Sequence, residues 1–306
     1  MALIFGATKL VDAASSLAAR LGVPNIVIGL TIVAFGTSAP ELVVNLFASL
    51  NNSTEMVLGN VLGSNIFNVL GILGVSALIY PLTVKTNTTW LEIPLSLLAA
   101  VAVLVISSDA FLDGTALNAI SRTDALILLL FFAIFLVYNI TLAVGSKEEE
   151  ETPTLNYTYL QAGLYLILGL AGLVIGGRLI VTSAVSIAQL FGLSERVIGL
   201  TIVSIGTSLP ELATSIVAVR KRNVDIAIGN VVGSNIFNVF FILGISTLVT
   251  PLQVGQGSLT DILVNIASSL LLFVFIFTGR GRQLARWEGG VLLTLYIGYL
   301  FMLITQ

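Results

Sequence analysis

The sequence predicts an all-α polytopic membrane protein, with about ten transmembrane helices arranged as two inverted five-helix repeats. Three observations carry this. The 306 residues are 57% hydrophobic and only 9% charged, against about 25% charged in a soluble domain, so there is too little polar surface to clothe a water-facing globule. The apolar residues come in long runs without strict alternation, which favours a helical bundle over a barrel. The stretch Gly29–Pro81 recurs as Gly199–Pro251, at a fixed offset of 170 without a gap and with about half the positions identical.

A span needs roughly 20 apolar residues. Runs of that kind are Leu3–Leu21, Ile26–Leu50, Met56–Tyr80, Trp90–Ser107 and Asp124–Val144 in the first half. The second half supplies Tyr157–Leu190, Val197–Val219, Ile226–Val249, Leu259–Thr278 and Gly289–Ile304. The sixth run is long enough to tilt steeply or to protrude from the bilayer. By the 170 offset its first part, Tyr157–Leu170, has no counterpart in the first helix. Residues 1–144 and 157–306 therefore read as the two copies, joined by an acidic linker, 145–156, whose charge run Gly145-Ser-Lys-Glu-Glu-Glu-Glu-Thr-Pro153 reads as a solvated connector.

Five spans separate equivalent positions. Five is odd, so the second copy enters the membrane upside down, the layout of secondary transporters with a mid-membrane site between the repeats. Ten spans put Arg20, Lys85, Lys147, Arg220, Lys221, Arg222, Arg280, Arg282 and Arg286 on one face and only Arg122 and Arg196 on the other. The first face is then cytoplasmic, and both termini lie outside.

The chain has no Cys and no His, which removes thiolate chemistry, imidazole metal sites and His-based catalysis. A bound metal must be held by oxygen. Each copy supplies Gly-Thr-Ser-x-Pro-Glu (Gly36 to Glu41, Gly206 to Glu211) and Gly-Asn-Val-x-Gly-Ser-Asn-Ile-Phe-Asn (Gly59 to Asn68, Gly229 to Asn238). A carboxylate at mid-membrane costs roughly 2.5 to 3.5 kcal/mol on insertion scales, so Glu41 and Glu211 are functional candidates by default.

Pro40 and Pro210 break their helices and are expected to free the carbonyls of Gly36 and Gly206. Thr37 and Glu41 are four apart and expected to share a face, as are Ser64 with Asn68 and Ser234 with Asn238. Two carboxylates, hydroxyls, amide oxygens and carbonyls are what hard cations want; Ca²⁺ takes about 6 to 8 oxygens. Two Glu balance one divalent ion, or nearly balance two or three monovalent ones, so a site that cannot hold both in full is a basis for exchange. The glycine pairs Gly59/Gly63 and Gly229/Gly233 allow close helix approach. Taken singly, the glycines read as packing and the hydroxyls as intrahelical bonding; their duplication as a set points to function. Elsewhere, Lys9 and Asp12 are expected to pair locally, and Glu92, Asp109, Asp113, Asp124 and Asp261, near span ends, to be solvated.

These paired motifs resemble the alpha-repeats of the cation/calcium antiporter superfamily, in its prokaryotic-type sodium/calcium exchanger branch. The resemblance implies one Ca²⁺ site flanked by Na⁺ sites, at Glu41, Glu211, Asn68, Asn238, Thr37, Ser38, Thr207, Ser208, Ser64 and Ser234. Carbonyls of Ala34 and Ser204 are implied to contribute. It further implies alternating occupancy by three Na⁺ or one Ca²⁺, with the first and sixth helices sliding as a gate over the other eight. Asn at both 68 and 238, where some relatives have Asp at the second position, argues against K⁺ co-transport. The expected function is a secondary antiporter exchanging Na⁺ for Ca²⁺ and normally extruding Ca²⁺. The alternatives are a Ca²⁺/H⁺ exchanger on the same fold and, further off, a cation channel. No enzyme activity, cofactor or nucleic-acid partner is expected; membrane lipid and the two ions are, and a monomer suffices.

Overall fold

The structure, a computed structural model, describes residues 2–114, 117–145, 157–190, 199–255, 257–278 and 281–305, with backbone only at 2–3, 177–190 and 199. Most of the linker at 145–156 thus lies outside the described residues, as do Lys147, Arg196 and Arg280.

Among the described residues, seven helices are long and apolar enough to span a membrane, or nine if two bent pairs each count as one, and Ala2–Leu21 brings the helices to ten. The first, α1 (Ala2–Leu21), is about 30 Å long at 1.5 Å per residue. The second, α2, is two pieces, Asn25–Thr37 and Ala39–Leu50, bent by 45° at their junction. Then come α3 (Thr54–Ile79), α4 (Thr88–Ile106) and α5 (Arg122–Gly145). The second half opens with α6 (Tyr159–Leu190), followed by α7, again broken, as Leu200–Thr207 and Leu209–Arg220 bent by 50°. It closes with α8 (Val224–Val249), α9 (Ser258–Thr278) and α10 (Arg286–Thr305). The two bent helices carry the Pro-Glu motifs, with the proline in the first turn of the second piece, where its missing N–H costs nothing.

The two copies share most of their irregularities, though a further π-helical turn at Thr88–Glu92 has no twin in the regular helix Ser258–Thr278. Widened π-helical turns occupy Gly29–Val33 and Gly199–Val203, then Phe67–Leu73 and Phe237–Leu243. Such turns are rare and concentrate at functional sites. Four two-residue strands pin helix ends across the copies. β1 (Leu82–Thr83), after α3, pairs antiparallel with β4 (Gln283–Leu284), before α10; β2 (Ala119–Ile120), before α5, pairs with β3 (Leu252–Gln253), after α8.

The core lies where α2 and α7 meet α3 and α8. Both α3 and α8 are almost wholly buried, whereas α5, the Tyr159–Gly176 part of α6 and α10 present most of their surface outward. Glycine sets the spacing there. A Cβ on Gly63 would fall 2.7 Å from the Leu200 carbonyl oxygen, and one on Gly233 would fall 2.7 Å from that of Leu30. Gly229 is as tight, 2.8 Å from the Ile26 carbonyl, while Gly59 has ordinary room, 3.5 Å from Leu200 Cγ. So α3 is wedged against α7, and α8 against α2, each across the repeat boundary.

Two expectations about charges need correcting. Asp12 does not pair with Lys9: it meets Lys221 Nζ at 2.5 Å, while Lys9 Nζ lies 4.6 Å from the Tyr165 ring centre. Tertiary packing overrides the local spacing. Nor are all the span-end acids solvated. Asp113 is exposed and Asp109 and Asp124 are half-buried, but Glu92 and Asp261 are buried. Tyr138 donates to Glu92 Oε1 at 2.5 Å and Tyr299 to Asp261 Oδ1 at 2.9 Å, giving each carboxylate a partner inside the bundle. Glu288, which the sequence did not single out, is buried as well and accepts from Thr278 Oγ1 and the Ala285 N–H.

Candidate functional site

Both motif glutamates stand in the first turn of the second piece of their broken helix, Glu41 in α2 and Glu211 in α7. A helix start carries a partial positive charge that favours an anion there. The breaks fall at Ser38 (φ −82°, ψ 5°) and Ser208 (φ −86°, ψ 8°), two residues ahead of the prolines. The Ala34 and Ser204 carbonyls accept the N–H groups of Ser38 at 2.9 Å and Ser208 at 3.1 Å.

The side chains meet across the repeats. Ser38 donates to Glu211 Oε1 at 2.9 Å, and Ser208 donates to Glu41 Oε1 at 2.9 Å. Thr37 donates to Asn230 Oδ1 at 2.9 Å; Thr207 donates to Asn60 Oδ1 at 3.3 Å. Each bond therefore has a twin in which 170 is added to one partner and subtracted from the other, the signature of a two-fold contact. Thr37 and Glu41 lie on either side of the break. The hydroxyls of one copy serve the carboxylate of the other.

Ser234 completes one side, with its Oγ 3.0 Å from that of Ser38 and 3.3 Å from Glu211 Oε1; Ser64 Oγ lies 3.4 Å from the Ser204 carbonyl. Asn68 and Asn238 sit at the start of the widened turns of α3 and α8, facing the two-fold. Glu41 and Glu211 are each 1% exposed. Among the described residues, their Oε2 atoms and the Oδ1 atoms of Asn68 and Asn238 have no hydrogen-bond partner. Other buried polar atoms among the described residues also lack partners, those of the Asn45 and Asn265 side chains among them, but here they are the oxygens of the two motif pairs. Four such oxygens, two from each copy, two of them carboxylate, suit a cation and repel an anion.

Sequence reasoning passed over four residues here: Asn60, Asn65, Asn230 and Asn235. They lie inside the quoted motif, so the signal was present, but spacing alone does not say which asparagine faces the site and which faces its neighbours.

An oxygen-lined site shared by two inverted repeats, at breaks in helices of membrane length, defines the class of protein as a secondary transporter. The sodium/calcium exchanger protein family matches residues 1–141 and 162–305. The chain is 37% identical over 314 residues to the putative antiporter CaxA of Alkalimonas amylolytica, covering 99% of this chain and 96% of that one. It is 34% identical over 334 residues to the sodium/calcium exchanger MaX1 of Methanosarcina acetivorans, covering 98% and 95%. A solved structure of the sodium-calcium exchanger NCX_Mj, soaked with 10 mM Na⁺ and zero Ca²⁺, matches with a TM-score of 0.80 at 33% identity, over 98% of this chain and 94% of that chain. The chain belongs to the sodium/calcium exchanger family.

Proposed function

We propose that the chain is a secondary antiporter that carries Ca²⁺ out of a prokaryotic cell in exchange for inward-moving Na⁺, by alternating access. The cation is held at Glu41, Glu211, Asn68, Asn238, Thr37, Ser38, Thr207, Ser208, Ser64 and Ser234, with the Ala34 and Ser204 carbonyls contributing. Residues 1–144 and 157–306 form the two inverted halves, the linker at 145–156 is cytoplasmic, and both termini lie outside.

One observation supports this most: four buried oxygens without partners, Glu41 Oε2, Glu211 Oε2, Asn68 Oδ1 and Asn238 Oδ1, drawn equally from both copies. Two carboxylates neutralise one Ca²⁺ or two Na⁺. Since the same oxygens serve both, occupancy by one excludes full occupancy by the other. The empty site, with two buried carboxylates facing each other, is disfavoured by repulsion and desolvation, which ties reorientation to a loaded site.

The test is Ca²⁺ uptake into proteoliposomes of the purified chain under Na⁺, K⁺ and pH gradients in turn. An outward Na⁺ gradient is expected to drive uptake. Uptake driven by a pH gradient alone would replace this reading with Ca²⁺/H⁺ exchange; flux indifferent to any opposing ion would make the protein a channel.

A further inference from the structure

The second motif holds three asparagines per copy, of which the proposed function uses only the last. The other residue of its Gly-Ser-Asn-x-x-Asn half, Asn65 or Asn235, is buried at the two-fold. Asn68 Nδ2 donates to Asn235 Oδ1 at 2.9 Å, and Asn238 Nδ2 donates to Asn65 Oδ1 at 3.0 Å. Asn65 Nδ2 in turn donates to the Asn235 backbone carbonyl at 3.3 Å, and Asn235 Nδ2 approaches the Asn65 carbonyl at 3.5 Å. Asn65 and Asn235 thus close a ring through each other's backbone between α3 and α8, and Asn68 and Asn238 are attached to it from outside.

A carboxamide keeps its shape when it turns over by 180°, exchanging an acceptor for two donors, so its neighbours decide which end points where. Here the order of constraint is fixed by groups that cannot change. A backbone carbonyl only accepts, so Asn65 and Asn235 must turn their NH₂ groups to it. That leaves their Oδ1 atoms to face Asn238 and Asn68, which must answer with NH₂. The remaining atoms, Asn68 Oδ1 and Asn238 Oδ1, are the ones without protein partners. A flipped Asn68 or Asn238 would present NH₂ to a cation and repel it.

We propose that Asn65 and Asn235 are positioning residues, each fixing the oxygen of the ligand amide in the opposite copy toward the cation. The inference rests on the assignment of Asn68 and Asn238 to the ion site. It makes the two half-sites interdependent: Asn65 acts through Asn238 and Asn235 through Asn68, never through the asparagine of the same motif. The ring also calls for a donor at positions 68 and 238, so the site's charge stays with its two glutamates.

A double-mutant cycle on the purified full-length chain, read as the Ca²⁺ dissociation constant, tests this. Asn65→Leu, which nearly matches the shape without its polar atoms, is expected to weaken Ca²⁺ binding about tenfold by freeing Asn238 to turn. Added to Asn238→Leu, it is expected to do no further harm, whereas added to Asn68→Leu its effect is expected to multiply in full. A residue needed only for packing would show no such preference between 238 and 68. Alanine at the same positions gives a second cycle where leucine does not yield folded protein. Equal coupling of Asn65 to both positions, or coupling to neither, overturns the proposal. Wild-type protein that binds no Ca²⁺ would instead overturn the proposed function, because every step of the cycle is referred to it.

Discussion

The helices at the two-fold and the α1–α6 pair beside them are held by different means. At the two-fold, α2, α3, α7 and α8 are joined by reciprocal side-chain bonds such as Ser38 to Glu211 and Ser208 to Glu41, over glycines too close to a carbonyl to accept a Cβ. Against this stands α1 with α6, crossing at Gly6 and Gly169, each of which would press a Cβ to within 2.9 Å of the other's backbone. This contact is extensive, and at its crossing it is made by residues without side chains. Polar ties to α1 gather toward one end: Asn223 Nδ2 to Ser15 Oγ at 2.9 Å, Lys221 to Asp12, and the Tyr157 N–H to Ser16 Oγ at 3.0 Å. From α6, Leu170 lays its methyl groups over Gly36, beside the break in α2. A bonded hub beside a pair that crosses at glycines suits the proposed alternating access, since bonds resist shear and glycine faces do not.

The largest effect should come from the hub's charges. Glu41→Gln and Glu211→Gln are each expected to reduce Ca²⁺ transport to background while leaving folded protein, checked by flux and by elution as a single species. Near-normal transport in either would remove the glutamates from the site.

Close approach comes next. Gly233→Ala places a methyl 2.7 Å from the Leu30 carbonyl, and overpacking of this kind costs about 1–3 kcal/mol, read as a lower thermal midpoint. Gly59→Ala, on the twin wedge of α3 against α7 but with ordinary room, should instead stabilise by roughly 0.5–1 kcal/mol through helix propensity. Equal shifts in both would mean that glycine contacts do not set the hub's spacing.

The smallest change in stability is expected at the outer pair. Asp12→Asn removes a half-exposed ion pair with Lys221, worth about 0.2–1 kcal/mol, so the midpoint should hardly move. Exchange turnover should change nevertheless, because α1 loses a tie to the α7–α8 turn. Unaltered turnover would show that this tie does not govern the sliding pair.

Much of this organisation is legible in the sequence, for physical reasons. Apolar runs announce spans because lipid demands them, and the gapless 170-residue repeat announces the two copies. Glu41 and Glu211 stand out because a carboxylate in an apolar run is costly. Burial of Glu92 and Asp261 is not legible. Their partners Tyr138 and Tyr299 lie 46 and 38 residues away, and position near a span end suggests water. Lys9 and Asp12 mislead for the converse reason, since an i, i+3 spacing permits a pair that tertiary contacts to Lys221 and Tyr165 displace. The break in α2 is legible from Pro40, but its place at Ser38, two residues earlier, depends on how the backbone closes the turn.

The claim on which the rest depends is that the copies share one divalent site, each serine bonding the glutamate of the opposite copy. Calorimetric titration of Ca²⁺ into the purified chain tests it most directly, in wild type and in the two single Glu→Gln variants. One Ca²⁺ per wild-type chain is expected, and loss of that ion in either variant. If the wild type bound two and each variant kept one, the copies would hold separate sites and the shared site would be contradicted.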